Sequence, residues 1–122
     1  MLIIPLYDLC AVDTELATLL SDGVGLKVGE FDAINTNSAP YVCWQIISAD
    51  PEQYLSGVSD MDALYVQIDI YAKDKGTTRK IAKLVRKVIE ENCSIEDFTG
   101  CELEPEVNLY RIRIESRWLE EP

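Results

Sequence analysis

The sequence predicts an α+β protein with helices packed on one face of an antiparallel, or mixed, β-sheet. Two observations support this class: residues 63–71 alternate strictly between apolar and polar, and residues 77–92 carry an apolar stripe at helical spacing. The predicted order of elements is α–(α)–β–β–β–α–β–β. With 122 residues, 48% of them hydrophobic, we expect a single domain over 1–122 with one core. Oligomerisation would be a natural source of further burial.

The first twenty residues predict two short helical pieces. Leu2 to Ala11 has apolar residues at helical spacing, and Pro5 is tolerated there only in a first turn. A cap at Asp13 or Thr14 then begins a second piece that ends at Leu20. One continuous helix is the alternative.

The middle of the chain predicts a brief β-like run, Leu26 to Val28, and then two strands. Tyr41 to Ser48 is dense in β-branched and aromatic residues, and Ala63 to Tyr71 has the alternation of a half-buried strand. The polar segment between them, Ala49 to Asp62, contains Pro51 and a glycine. It is interpreted as a long hairpin connection or projecting loop.

A helix is predicted from Thr77 or Thr78 to about Asn92. Its apolar stripe lies toward the sheet and is formed by Ile81, Leu84, Val85, Val88 and Ile89. A weak strand near 101–103 and a strong one, Leu109 to Trp118, complete the chain. The strong strand places arginines on its outer face, where they are expected to pair with acids such as Asp69.

The charge is divided unevenly along the chain. The formal net charge is −11, but segment 73–87 holds seven of the eleven basic residues and one acid. Because phosphates repel a strongly acidic protein, no nucleic-acid specificity is expected. One basic patch on an acidic body instead favours head-to-tail contact between copies of the chain.

Two surface segments are candidate interfaces with other subunits or partners. In the helix, the like-charged i,i+4 neighbours repel each other, which indicates an acidic partner; an ordinary solvated face is the alternative. The polar segment 49–62 is dotted with apolar residues, as in docking loops; a disordered hairpin tip is the alternative. The candidate residues are Arg79, Lys83, Arg86, Lys87, Tyr54, Leu55, Val58 and Met61.

The sequence offers little for catalysis, metal or cofactor binding. It has no histidine, so the commonest general base and the Ser-His-Asp and Cys-His arrangements are absent. Its four cysteines form no CxxC pair and are interpreted as buried free thiols. The acidic groups Asp60 with Asp62, or Glu102 with Glu104 and Glu106, lack a ligand pattern and are interpreted as solvated. We therefore expect no enzyme, cofactor or metal site.

Targeting signals are also lacking in the sequence. No stretch approaches the roughly 20 apolar residues of a membrane span, and the first ten residues lack the basic region of a signal peptide. The expectation is a soluble protein made in a cytoplasm, with no membrane partner.

The layout resembles that of the tail completion, or tail terminator, proteins of long-tailed phages and prophages. The resemblance rests on the order of the elements and on short motifs: the strand start Pro40-Tyr41-Val42, the strand end VQIDIY (66–71), the helix KDKGTTRKIAKLVRKVIE (73–90) and the arginine-rich strand YRIRIESRWLEE (110–121). It covers nearly the whole chain, although relatives in this family carry a longer first helix.

The resemblance implies a tail-tube-like fold and a structural role in the virion. Such proteins form a ring, usually a hexamer, on the last ring of the tail tube, at its head-proximal end. The ring stops tube polymerisation, and its other face receives the head completion or connector protein. The implied partners are copies of itself, the tail tube protein and the connector, assembled in the host cytoplasm. A stand-alone ligand-binding or regulatory α+β domain, with its ligand between helix and sheet, is the alternative.

Overall fold

The computed structural model describes residues 3–30, 39–51 and 61–120. Within these residues the elements are α1 (Leu6–Ala11), α2 (Thr14–Leu20), β1 (Val28–Glu30), β2 (Tyr41–Pro51), β3 (Asp62–Ala72), α3 (Lys75–Ile89), β4 (Ser94–Phe98), β5 (Glu102–Glu104) and β6 (Leu109–Glu120). The order therefore follows the predicted one with an additional strand, β4.

The described strands form one mixed sheet in the order β1-β2-β3-β6-β4, and β5 also pairs with β6. β1 runs parallel to β2, whereas the other pairings are antiparallel. β3 pairs with one edge of β6 along its length. The other edge of β6 pairs with β4 at residues 114–117 and with β5 at residues 109–111. The sheet therefore ends in β1 on one side and in β4 with β5 on the other.

The alternation in β3 divides the sheet into a helix side and a far side. Leu64, Val66, Ile68 and Ile70 are buried on the helix side. They pack with residues of α3 and β6 in one cluster, which includes Ile81, Val85, Ile89, Ile112, Ile114 and Trp118. Full burial of each such side chain stabilises the fold by about 1.5–3 kcal/mol. This cluster fills the space between α3 and the sheet.

A buried polar pair is accommodated within this core. The indole Nε1 of Trp118 donates to Ser116 Oγ at 2.9 Å, and Ser116 Oγ donates to the carbonyl oxygen of Val66 at 3.1 Å. Because each polar group has a partner, burial of Trp118 and Ser116 carries no penalty for an unmade hydrogen bond.

The helices lie on one side of the sheet. α3 packs on β3 and β6, α1 and α2 pack against α3, and α1 also contacts β1. The predicted α+β class, with a mixed sheet and helices on one face, is confirmed. None of the helices in the described part of the chain is long and apolar enough to cross a membrane.

The ends of two helices differ from the prediction. α3 begins at Lys75, not at Thr77 or Thr78, because Asp74 caps it: its Oδ1 accepts from the Thr77 amide at 2.8 Å and its Oδ2 accepts from Thr77 Oγ1 at 2.8 Å. The helix ends at Ile89, three residues before the predicted Asn92. α1 begins after Pro5, not at Leu2.

The strands also depart from the prediction, most clearly in three places. β4 (Ser94–Phe98) was not predicted, and the first strand lies at 28–30, later than the β-like run at 26–28. β2 continues through Ala49 to Pro51, which the sequence placed in the loop, and Pro51 pairs with Asp62. A bulge between Ile46 and Ser48 inverts the facing of the later residues, so that Ala49 pairs with Leu64 of the helix side.

Candidate assembly surfaces

The predicted basic face of α3 lies in solvent, on the side of the helix turned away from the sheet. Arg79, Lys83, Arg86 and Lys87 are all exposed, whereas the apolar stripe of the helix is buried or half-buried. The face results from the helical period, which directs residues three and four positions apart to the same side.

Two contacts orient the two flanks of this helix. On one flank Lys80 Nζ lies 3.0 Å from Glu15 Oε2 of α2. On the other flank the guanidinium of Arg86 lies over the ring of Phe98 in β4, 5.8 Å from its centroid. Arg79 lies two turns before Arg86 and is therefore on the same flank of α3. Lys83 lies between the two flanks, on the side of the helix turned away from the sheet.

The basic face is poorly compensated within its own chain. Arg86 Nε is 3.9 Å from Glu90 Oε2, a long and exposed pair worth little. Among the residues that the structure describes, Arg79, Lys83 and Lys87 have no carboxylate within ion-pair distance. Arg79 and Lys83 therefore repel each other, as do Lys83 and Lys87, and no ion pair with a described carboxylate offsets this repulsion.

The second candidate segment lies mostly outside the described residues. Tyr54, Leu55 and Val58 fall in 52–60, which the structure does not describe, so their predicted role stays a prediction. Met61 is half-buried immediately before β3. The last described pair of the β2–β3 ladder is Pro51 with Asp62.

The far side of the sheet carries ion pairs that the sequence predicted only in part. Arg113 Nε donates to Asp69 Oδ1 at 2.8 Å, as expected from their facing positions, and this hydrogen bond raises the pKa of Arg113. Arg111 Nη2 contacts both Glu102 Oε2, at 3.1 Å, and Glu104 Oε1, at 3.0 Å. Glu102 and Glu104, interpreted as solvated from the sequence, keep side-chain exposures of 58% and 31% and each also form an ion pair with Arg111.

An aromatic pair on the far side was missed by the sequence reasoning. The rings of Tyr41 and Tyr71 stack with centroids 5.0 Å apart, because the two residues are direct partners in the β2–β3 ladder. Burial, helped by the nearby charge of Asp69, raises the pKa of Tyr71 to about 12. The signal available in the sequence was that a tyrosine stands at the start of one strand and at the end of the other.

The thiols divide into one buried group and three half-buried ones. All four cysteines are free, and Cys10 alone is fully buried, so the prediction of buried thiols holds for that residue only. Burial raises the pKa of Cys10 to about 12 and that of Cys93 to about 11. Such thiols are poor nucleophiles because the reactive thiolate is scarce.

One groove on the far side bears on ligand binding. It has a volume of about 160 Å³ and is lined by Ile47, Tyr65, Val66, Gln67, Glu96, Glu115 and Ser116. Small-molecule pockets usually have volumes of about 300–1,000 Å³. Two open surface concavities reach this range, one of about 440 Å³ along Lys83 and Arg86 and one of about 450 Å³ beside Tyr7. Within the described ranges, no group of three or more His, Cys, Asp or Glu residues is placed to hold a metal ion.

Comparison with known families decides what kind of protein carries these surfaces. The family model of the tail completion protein gp17 matches residues 4–121. The chain belongs to this tail completion family. No curated protein matches the chain.

A solved structure agrees with the tail completion fold. A chain of the virion of a native gene transfer agent particle superposes with a TM-score of 0.61 at 16% identity, covering 96% of this chain and 92% of that one. At this identity the likeness concerns the fold. The family match over residues 4–121 confirms the predicted family, so the protein is a structural component of a phage-type tail.

Proposed function

We propose that this tail completion protein forms a ring on the last ring of the tail tube, at the head-proximal end. The ring ends tube polymerisation and offers its other face to the head completion or connector protein. The observation that carries the proposal is the family match over residues 4–121. Residues 1–122 act as one domain, and six copies are the expected number.

The charge distribution supports self-association. A ring needs head-to-tail contacts in which one surface of a copy meets a different surface of the next. The basic face of α3, with Arg79, Lys83 and Lys87 lacking ion-pair partners in the described residues, suits contact with acidic residues of another copy. With 22 acidic residues against 11 basic ones in the chain, such residues are abundant on any neighbour.

Segment 49–62, with Tyr54, Leu55, Val58 and Met61, is proposed as the element that docks on the tube or the connector. Its support is that Pro51 and Asp62, within this segment, form the last described pair of the β2–β3 ladder. Loops held by a rigid scaffold commonly carry binding residues.

Micrographs of tails assembled with and without the protein test this function. Without it, we expect tubes of uncontrolled length that carry no heads. If the protein is added before the tubes grow, tail length should become uniform. If it is added afterwards, the tubes should keep their length and gain the ability to join heads. Protein denatured by heat is the control. Tails of uniform length that join heads in its absence would refute the proposal.

The alternative, a stand-alone ligand-binding domain, has weaker support. The space between α3 and the sheet, where such a ligand was expected, is filled by buried side chains including Ile81, Val85 and Ile114. The groove on the far side is about 160 Å³ and has two carboxylates, Glu96 and Glu115, in its lining. Calorimetric titration with cationic metabolites would measure whether it binds any of them.

A further inference from the structure

The two ends of the sheet carry different side chains at the level of the helices. β1 forms one end, and β4 with β5 forms the other. In a sheet, directly paired residues face the same side. Glu30 pairs with the buried Trp44, Phe98 pairs with Ile114, and Leu103 pairs with Tyr110. All three side chains at the ends therefore lie on the helix side, in the same layer as α3.

On its helix side, the end formed by β4 and β5 is apolar and basic. Phe98 is 37% exposed and Leu103 is 51% exposed, although both face the helix side. The guanidinium of Arg86 lies over the Phe98 ring, and Arg79 is on the same flank of α3. Glu90 lies 3.9 Å from Arg86 Nε. The strands themselves also carry acids, of which Asp97 and Glu102 pair with the far-side residues Glu115 and Arg111. We call Arg79, Arg86, Phe98 and Leu103 the arginine edge.

The opposite end is apolar and acidic, and its most exposed apolar side chain is on a rigid turn. Asp22 Oδ1 accepts hydrogen bonds from the amides of Val24 and Gly25, at 2.9 and 2.8 Å. Tyr7 braces the end of the turn, because its hydroxyl accepts from the Leu26 amide at 2.9 Å.

The turn holds the side chain of Val24 in solvent at 99% exposure, beside Tyr7 at 43%. Glu30 is exposed on the same end of the sheet. An apolar side chain presented by a preorganised turn loses little conformational entropy when a partner covers it. We call Tyr7, Asp22, Val24 and Glu30 the valine edge.

We propose that the arginine edge of one copy packs against the valine edge of a second copy. The charges are complementary, with Arg79 and Arg86 on one edge and Asp22 and Glu30 on the other. The apolar groups also match, since each edge exposes an aromatic ring and an aliphatic side chain, Phe98 with Leu103 and Tyr7 with Val24. The occupant of each edge is therefore another copy of this chain.

The position of the two edges gives this contact a definite symmetry. They lie at opposite ends of one sheet, so each copy leaves one edge free for a third copy. A contact of this heterologous kind closes into a ring when the rotation between copies divides a full turn. The inference rests on the proposed ring and adds to it the surfaces by which the copies meet. It also restricts the subunit contact to the Arg79–Arg86 flank of α3.

Substitutions at exposed positions test the contact without disturbing the fold. Val24→Glu places a charge in the proposed interface, while Val12→Glu makes the same change at a side chain that is 79% exposed and belongs to neither edge. We expect Val24→Glu to lower the fraction of tube ends that carry a ring by at least about tenfold, and Val12→Glu to leave it unchanged. Equal ring formation by Val24→Glu and the wild type would overturn the proposal.

An exchange of charges between the two edges tests whether opposite charges stabilise the contact. The double variant Arg79→Glu with Arg86→Glu should lose rings, and so should Glu30→Arg alone. Combining the three substitutions restores attraction at position 30 but leaves Asp22 unchanged, so it should recover rings in part. If the triple variant is no better than the double variant, the pairing of these two edges is wrong.

A photoreactive phenylalanine at position 24 identifies the partner directly. Irradiation of the full chain, alone and on tail tubes, should give a dimer whose cross-linked peptide comes from residues 94–104 of another copy. A cross-link only to the tube protein or the connector would overturn the proposal. The proposed function has a separate test, because wild-type protein that fails to bind tube ends would refute that function whatever the cross-linked dimer shows.

Discussion

At the scale of single residues, Asp69 and Arg113 form the shortest of the described ion pairs on the far side of the sheet. Asp69→Ala would leave the Arg113 guanidinium without its 2.8 Å contact in a half-buried site. We expect the free energy of unfolding to fall by about 1–3 kcal/mol, the usual penalty for a buried polar group that loses its partner. Urea denaturation measures this fall in the free energy of unfolding. Glu115→Ala, at an exposed position on the same face, should change the free energy by less than about 0.5 kcal/mol.

Cys10 makes the stability of the fold sensitive to alkali. Burial raises the pKa of its thiol from 9.0 to about 12, so the unfolded chain releases this proton at a lower pH than the folded chain. The stabilisation of the fold by the protonated thiol of Cys10 is complete below pH 9 and is lost as the pH rises toward 12. Urea midpoints measured at pH 8 and pH 10.5 should therefore differ less in Cys10→Ala than in the wild type. An equal difference in both proteins would show that Cys10 does not contribute.

The same residue should resist thiol reagents. At pH 8 in the folded protein, Cys10 is both buried and protonated, whereas Cys43 and Cys101 are half-buried. Mass spectrometry after brief alkylation should find Cys10 unmodified until urea is added. Rapid modification of Cys10 in the native protein would contradict the buried position of α1 against the core.

At the scale of elements, α3 depends on a cap that lies before the predicted start of the helix. Asp74→Ala removes both hydrogen bonds to Thr77 and should lower the Tm by a few degrees. Asp74→Asn should preserve most of the stability, since asparagine caps equally well. These hydrogen bonds also lower the pKa of Asp74. The carboxylate therefore stabilises the fold above its unfolded pKa, and that stabilisation is lost as the pH falls through its lower folded value.

Elements whose structure is determined by their own sequence were predicted correctly, and elements that depend on residues distant in the chain were not. β3 was predicted because strict alternation needs no knowledge of its neighbours. β4, with the sequence SIEDF, has two acids and one exposed aromatic residue, and it is a strand because β6 offers an unpaired edge to residues 94–98. The start of α3 was missed because Lys75-Gly76 is a weak beginning for a helix, and the Asp74 cap compensates for it.

The candidate surface was predicted to the level of one helix face and no further. The period of α3 shows that Arg79, Lys83, Arg86 and Lys87 share the solvent side. Which flank faces α2 and which faces β4 depends on Glu15 and Phe98, which are distant in sequence. The valine edge was not predicted, since Val24 stood in a short glycine turn whose rigidity comes from Asp22 and Tyr7.

At the scale of the whole molecule, the separation of charge predicts how assembly responds to salt. A formal net charge of −11 repels copies at long range, whereas the basic flank attracts an acidic edge at short range. At 0.5 M NaCl the contact between exposed charges is screened, so the fraction of tube ends with rings should fall. Sedimentation of the protein with tubes, at a series of salt concentrations, measures how much protein is bound at tube ends. The triple charge-exchange variant has fewer opposite charges across the contact and should depend less on salt, while Val12→Glu, which adds a charge outside both edges, should keep the salt dependence of the wild type.

The position of β3 has a further consequence for how the molecule opens. β3 is paired with β2 on one side and with β6 on the other over its described length, whereas β1 and β5 are three residues each at the ends of the sheet. Amide hydrogens of Ile68 and Ile70 should therefore exchange with solvent only through global unfolding, and those of β1 and β5 through local opening. The margins of the sheet thus have the freedom to adjust when a neighbouring copy arrives, while the central strand keeps its register.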